Sequence, residues 1–328
     1  MKKAFITGIT GQDGRYLAEL LISKGYEVHG LVRKVSGRDE IGLSDAHIHY
    51  GDITDSSFKD VLFEIRPDEI YNLAGQSDVY LSFKLPIYTF NVNTVGLYNI
   101  LEYMRVTRYG KLYQASTSEM FGGLSEYPIQ NENTPFNPKS PYGISKLASH
   151  LAIKNYRESY GLWCCSGILF NHESPRRGLN FVSKKIAKGV VDIVRGRIDR
   201  LEVGNLNAIR DWGYAKDYVE AMWLMLQRDE PKDYVIATGE CHTVREFIEE
   251  AFKLVGYNIE WYGEGLNEVG VIGGKVVVSV NDKYYRPNEV NYLCGDSTLA
   301  REELGWRPRV TFKDLVKLMV DYEIGRGR

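Results

Sequence analysis

Two side chains four residues apart, Tyr142 and Lys146 in the run Tyr142-Gly143-Ile144-Ser145-Lys146, carry the clearest chemistry in the chain. On a helix that spacing puts both on one face. A free tyrosine titrates near pH ~10 and is a poor base at neutrality; a nearby lysine ammonium favours the phenolate and lowers that value. Tyr142 can then take the proton of a sugar hydroxyl while hydride leaves the same carbon for a nicotinamide. Upstream, in the run ASTSEMFG from Ala115 to Gly122, Thr117 can hydrogen-bond the reacting oxygen. Glu119 in the same run adds a carboxyl able to move a proton on the neighbouring carbon. Taken alone, these residues leave plainer roles open: a structural YxxxK pair, and a capping or loop carboxylate.

A nicotinamide needs a phosphate cradle, and Thr7-Gly8-Ile9-Thr10-Gly11-Gln12-Asp13-Gly14 has the spacing for one. Glycines at 8, 11 and 14 let the chain turn tightly and let backbone N–H groups approach a pyrophosphate at the positive end of a helix. The triplet follows a strand-like run and opens a helix-like one, which is the context the motif demands. At the end of the second strand, Leu31-Val32-Arg33-Lys34 puts cations where an NAD-preferring site places a carboxylate. Arg33, with Lys34 and Ser36 in support, suits a 2′-phosphate and therefore NADP, against the alternative of a solvated basic turn. Asp52, in Gly51-Asp52-Ile53, is placed to meet an adenine edge or to cap a helix.

The elements that position these groups are legible as alternating short apolar and longer amphipathic runs, the pattern of βαβ units around a parallel sheet. Strands are expected at Ala4 to Thr7, Glu27 to Val32, His47 to Tyr50, Glu69 to Leu73, Lys111 to Ser116 and Trp163 to Leu169. Helices are expected at Gly14 to Lys24, Ser56 to Ile65, Ile87 to Val106 and Tyr142 to Tyr160, with a loop from Gly122 to Pro141. The fold class is α/β: a doubly wound parallel Rossmann sheet with a smaller interleaved C-terminal lobe. The expected division is an NADP-binding domain over 1–170, its sheet completed by about 205–240, and a substrate-binding lobe over 171–204 and 241–328.

Composition limits the partners. The 328 residues are 44% hydrophobic and 26% charged, enough for a sizeable core, and 41 Lys plus Arg against 43 Asp plus Glu supply no broad positive field for nucleic acid. No leader and no membrane-spanning run are read, so a cytoplasmic protein is expected. Cys164, Cys165, Cys241 and Cys294 show no CxxC spacing and are read as reduced, mostly core thiols. His29, His47, His49, His150 and His242 show no ligand spacing joined to carboxylates, so no metal is expected.

Beyond the loop and the YxxxK pair, the chain resembles the extended short-chain dehydrogenase/reductase family and, within it, the GDP-mannose 4,6-dehydratases. The likeness runs through HYGDITDS at 49–56, NLAGQSDV at 72–79, QASTSEMFG at 114–122, SPYGISK at 140–146, GILFNHESPRRG at 167–178, RDWGYAKDYVEAMW at 210–223 and YYRPNEV at 284–290. It implies oxidation at C4 of GDP-mannose by Tyr142, Thr117 and Lys146, loss of water across C5 and C6 with Glu119, and return of the hydride to C6. It further implies that Ile53, the run Leu73, Ala74, Gly75, Gln76 and Ser77, and Tyr88 line the cofactor, with His172 and Arg177 at its nicotinamide end. Ser77, Asn171, Lys185, Arg210, Arg286 and Glu289 would hold the nucleotide sugar. A homodimer or homotetramer is implied as well; the loop from Val35 to Ala46, which reaches a neighbouring subunit in this family, is short here, and Asp78, Gly143, Tyr214 and Asn288 depart from the usual residues. Three alternatives share much of this apparatus: an NADPH-dependent reductase of the 4-keto product, a UDP-sugar 4-epimerase, and a catalytically silent NADP-binding sensor.

Overall fold

The computed structural model describes residues 1–33 and 44–326. Strand β1 (Lys3–Thr7) leads into helix α1 (Gln12–Ser23), which buries Leu17, Ala18 and Leu21, and β2 (Glu27–Val32), β3 (Ala46–Tyr50) and α2 (Phe58–Ile65) follow. After β4 (Glu69–Asn72) come α3 (Val79–Lys84), α4 (Pro86–Phe90), a π turn over Asn91–Val95 and α5 (Gly96–Thr107). The first half closes with β5 (Lys111–Thr117), α6 (Pro141–Tyr160) and β6 (Cys164–Leu169). Beyond lie β7 (Asn171–Glu173), α7 (Val182–Val194), β8 (Leu201–Val203), β9 (Ile209–Tyr214), α8 (Ala215–Leu226) and β10 (Tyr234–Ile236). The chain ends with β11 (Cys241–Thr243), α9 (Val244–Leu254), β12 (Glu260–Tyr262), β13 (Val269–Ile272), β14 (Lys275–Val280), β15 (Tyr292–Leu293), α10 (Thr298–Leu304) and α11 (Phe312–Gly325).

Seven strands form one parallel sheet in the order β10-β6-β5-β4-β1-β2-β3. Alternate residues of each strand feed opposite faces, and both faces are apolar because helices cover both. Ala4 and Ile6 pack against Leu17 of α1 and Met222 of α8 on one side; Phe5 packs with Leu62, Ile100 and Ile153 on the other. This is the doubly wound Rossmann arrangement. A separate core around Trp212, Phe247 and Phe312 joins α7, α9 and α11. Lys184 ties α11 back to the chain leaving β7: its ammonium pairs with Glu323 and donates to the Pro175 carbonyl at 2.9 Å.

Three expectations are corrected. The helix expected from Ile87 is preceded by α3 and interrupted by the π turn. Asp78 starts α3 by accepting the Leu81 N–H, and Asn93 leaves the regular helix to bond Gln76 N–H and Ser145 Oγ. Of residues 205–240, only α8 and β10 complete the large sheet; β9 instead pairs with β7, β11 and β15. The thiol expectation holds for Cys164 and Cys165, buried on opposite faces, but Cys241 and Cys294 form a disulfide. Their 53-residue separation gives no spacing signal, and they meet because β11 and β15 flank β9. Among the described residues, no helix is long and apolar enough to cross a membrane.

Candidate active site

The carboxyl ends of the central strands are pinned to one another by buried side chains. Thr7 Oγ1 donates to Asn72 Oδ1 at 2.7 Å, and Asn72 Nδ2 donates to Gln114 Oε1 at 2.6 Å, so β1, β4 and β5 share one hydrogen-bond chain. Thr7 Oγ1 also accepts the Leu73 and Ala74 N–H groups, which shapes the turn leaving β4. Above these ends opens a cleft of about 990 Å³. Such strand ends are where open α/β sheets take ligands.

On one side of the cleft the glycine loop has no room for side chains. A Cβ on Gly14 would lie 2.3 Å from the Gly8 carbonyl oxygen, and Gly8 itself has φ +70. The loop thus meets the N-terminus of α1 as bare backbone, a cradle that fits a pyrophosphate. Gly8, Thr10, Gly11, Gln12, Asp13 and Gly14 line the cleft, whereas the Ile9 side chain is buried beneath Gly30. Leu73, Ala74, Gly75 and Ser77 line it from β4. Gln76 does not reach it with its side chain: it faces inward, holding Asp78 and Thr89.

Arg33 reaches the far end of the cleft and donates to Tyr88 Oη at 2.5 Å. That contact is Tyr88's place in the structure, behind Arg33 rather than on the lining. Ile53 lines the cleft; Asp52 does not, and its Oδ1 accepts both the N–H and the hydroxyl of Thr54. Lys34 and Ser36 lie outside the described residues.

Four groups meet on the cleft lining. Ser140 caps α6 by accepting the Gly143 N–H at 3.0 Å, Pro141 occupies the first turn, and the helix presents Tyr142 and Lys146 together. Thr117 hydrogen-bonds Tyr142 and accepts the Glu119 N–H. Gly143 lets the helix head approach: a Cβ there would lie 3.0 Å from the Glu119 carbonyl oxygen. Glu119 is buried; its Oε1 accepts from Arg286 at 3.1 Å, and among the described residues its Oε2 has no hydrogen-bond partner.

The electrostatics differ from the simple tyrosine–lysine picture. Burial pushes the Tyr142 phenol up to about 12, with the Thr117 hydrogen bond and the Arg177 charge opposing. Burial also pushes the Lys146 ammonium down to about 8, and its Nζ donates to the Ala115 carbonyl at 2.9 Å. Tyr142 therefore stands above its ordinary value rather than below it, because desolvation dominates both groups.

The other end of the cleft is built from residues remote in sequence. Asn171, Lys185, Arg210, Arg286 and Glu289 all line the same cleft. The Lys185 ammonium lies 3.3 Å from the Tyr284 ring centroid. Arg210 donates to the Ile209 and Val290 carbonyls, and burial, then the nearby Arg286, pushes it down to about 10, still charged at neutrality.

Residues that sequence spacing could not pair hold the loop to this end. His172 Nδ1 lies 2.8 Å from the Phe170 carbonyl oxygen and Nε2 lies 2.8 Å from Asp13 Oδ2. Both partners only accept, so a doubly protonated imidazolium satisfies both. Burial opposes its charge, yet Asp13 outweighs burial and raises His172 above its ordinary value. The imidazolium in turn lowers Asp13 against its own burial. Arg177, also on the lining, is carried on the same turn by Glu173, whose Oε2 lies 3.0 Å from its Nε.

A histidine raised above the unfolded value of 6.5 contributes stability that is whole below that pH and fades as pH rises through the folded value. Asp13, shifted down, loses its share only as pH falls through its own lowered value. His172→Gln should therefore lower the melting temperature more at about pH 6 than at about pH 10. Equal loss at both would remove the ion pair from the account.

With this geometry in place, the likeness to known proteins is specific. A family model described as GDP-mannose 4,6 dehydratase matches residues 5–319. The human GDP-mannose 4,6 dehydratase is 52% identical over 339 residues, covering 98% of this chain and 91% of its own length. A Vibrio cholerae GDP-mannose 4,6-dehydratase is 48% identical over 354 residues, covering 100% of this chain and 95% of its own. Among solved structures, the Thermus thermophilus UDP-glucose 4-epimerase complex with NAD superimposes with TM-score 0.82 at 28% identity, over 98% of this chain and 99% of that one. A Bacillus anthracis dTDP-glucose 4,6-dehydratase in complex with NAD shares the fold with TM-score 0.82 at 19% identity, over 99% of this chain and 97% of that one. Matching a single family model over nearly its whole length, and about half identical to two of that family's members, the chain belongs to the GDP-mannose 4,6-dehydratases, within the extended short-chain dehydrogenase/reductase fold.

Proposed function

We propose that the protein converts GDP-mannose to GDP-4-dehydro-6-deoxy-mannose and water, with NADP recycled. The observation that carries this reading is the buried Glu119 beside Tyr142, with one carboxylate oxygen unpartnered among the described residues, since a simple alcohol dehydrogenase needs no second proton acceptor there.

Tyr142 takes the C4 hydroxyl proton, with Thr117 and Lys146 holding the phenol end of the site. Bound in the glycine loop, an oxidised nicotinamide dinucleotide supplies the hydride acceptor for C4 and, once reduced, the hydride donor for C6, and its positive charge favours the Tyr142 phenolate. The C4 ketone acidifies C5; Glu119 takes the C5 proton and passes it to the C6 hydroxyl, which leaves as water. The proton that Tyr142 took at the start balances the one returned to C5. Arg33 would hold a 2′-phosphate through two bonds, with Tyr88 behind it, which favours NADP over NAD. Asn171, Lys185, Arg210 and Arg286 would hold the sugar and diphosphate, and Glu289 would accept from the guanine edge.

Incubated with GDP-mannose and catalytic NADP⁺, the protein should give a nucleotide sugar lighter by one water with no lasting NADPH absorbance. An unchanged mass defeats dehydration, and stoichiometric consumption of NADPH on the 4-keto sugar would point to the reductase instead. Glu119→Gln should lose turnover by roughly 10²- to 10⁴-fold while still binding NADP⁺. Arg33→Asp should weaken NADP⁺ far more than NAD⁺; equal weakening rejects the 2′-phosphate assignment.

The same reading includes a cytoplasmic homo-oligomer. Helices α4, α5 and α6 and the π turn pack side by side and leave Ile87, Phe90, Val95, Tyr98, Ile144 and Leu151 exposed, an apolar face that a second copy would cover. Its mass in solution should be a multiple of one chain, and the pair Ile87→Arg and Leu151→Arg should reduce it to one; a wild-type monomer ends the proposal.

A further inference from the structure

Glu119 is paired, and its partner is one of the cations expected to receive the substrate. Arg286 Nη1 donates to Glu119 Oε1 at 3.1 Å and lies 4.0 Å from Glu289 Oε1, while Arg210 Nη2 lies 3.7 Å from that same Glu289 oxygen. Two guanidiniums and two carboxylates thus neutralise one another inside the cleft. A diphosphate entering here brings at least two negative charges and presents oxygens that a guanidinium grips bidentately. Arg286 cannot present the same Nη1–H to Glu119 and to a phosphate oxygen in full strength.

We infer that Arg286 is exchanged between Glu119 and the diphosphate of the substrate, so that Glu119 is released for proton transfer only when the nucleotide end of the cleft is filled. The inference rests on the nucleotide-sugar reading above and deepens it. Among the described residues, Glu119 Oε2 is buried with no hydrogen-bond partner, and Oε1 accepts from Arg286. A buried carboxylate stripped of its counter-ion gains affinity for a proton. Departure of Arg286 therefore turns a compensated carboxylate into a proton acceptor, at the moment the sugar is anchored. Asp78 and Glu289 are the other carboxylates that act on Arg286, and Arg210 is the neighbouring cation. Neither carboxylate stands beside Tyr142 as Glu119 does. Arg286 is thus both a diphosphate ligand and the positioning residue of Glu119.

Exchange makes Glu119 a competitor of the diphosphate, which binding measurements detect without any turnover. With NADP⁺ bound, calorimetric titration with GDP should show Glu119→Gln binding about 5- to 30-fold tighter than wild type, the span of an ordinary coupling between sites. In an Arg286→Gln background, adding Glu119→Gln should change GDP affinity by less than about twofold. Retained NADP⁺ binding reports that each variant is folded, and Arg286→Met, which keeps the apolar stem, replaces the glutamine variant if that one does not hold NADP⁺. Equal GDP affinity of wild type and Glu119→Gln overturns the exchange. Equal tightening with and without Arg286 also overturns it, because the effect would then be plain repulsion between Glu119 and the diphosphate. Wild-type protein that holds NADP⁺ and does not bind GDP overturns the nucleotide-sugar reading itself.

Discussion

Asp13 and His172, 159 residues apart, meet at 2.8 Å, and the site is arranged around that contact. Asp13 belongs to the first turn of α1, directly behind the glycine loop; His172 belongs to the short strand that leaves the large sheet for the second core. A carboxylate at a helix N-terminus is favoured by the helix dipole, yet it also sets a negative charge beside a place suited to phosphate. The imidazolium cancels that charge locally. Gln12 reinforces the bond by donating to the His172 carbonyl and accepting from Ser174. Loop and strand are held as one wall, so the cradle and the turn bearing Arg177 keep a fixed separation.

Fixing that wall allows the opposite one to be built from sequence-distant charges. Arg210 comes from β9, Glu119 from the end of β5, and Arg286 and Glu289 from the segment before β15. Each is at least partly shielded from water, so each needs a counter-charge whether or not substrate is present. They satisfy that need among themselves, and Arg210 adds the Ile209 and Val290 carbonyls. The Cys241–Cys294 disulfide joins the strands on either side of β9, which bounds how far the segment carrying Arg286 can swing from Arg210.

What could be read from the sequence was local. The glycine triplet, the Tyr142 and Lys146 spacing and the alternation of the first six strands all depend on neighbours within a few turns of chain, and each stands where its pattern put it. What could not be read was pairing across the fold. Nothing near Thr7 announces that its hydroxyl links β1 to Asn72 and onward to Gln114, and nothing near Asn93 announces a π turn, because both follow from partners brought in by the sheet. The disulfide belongs to the same class. The family likeness supplied Arg286 as a sugar ligand but not its bond to Glu119, which exists only once the segment after β14 folds over the strand ends.

That Tyr142 stands above rather than below its ordinary value has a different reason, and it bears on how the site works. Spacing can place an amine beside a phenol, but the sign of the result depends on water. Burial raises Tyr142 to about 12 and lowers Lys146 to about 8, so each group is driven toward its neutral form. A shielded phenol yields its proton only against a positive charge that is itself shielded, because a solvated cation is screened before it reaches the ring. Lys146 donates to the Ala115 carbonyl at 2.9 Å. On the function proposed for it, the charge that completes the site arrives with what fills the cleft: a cation beside Tyr142, and an anion that draws Arg286 from Glu119. Both halves of the proposed acid–base apparatus, Tyr142 and Glu119, are thus held neutral or compensated by the fold.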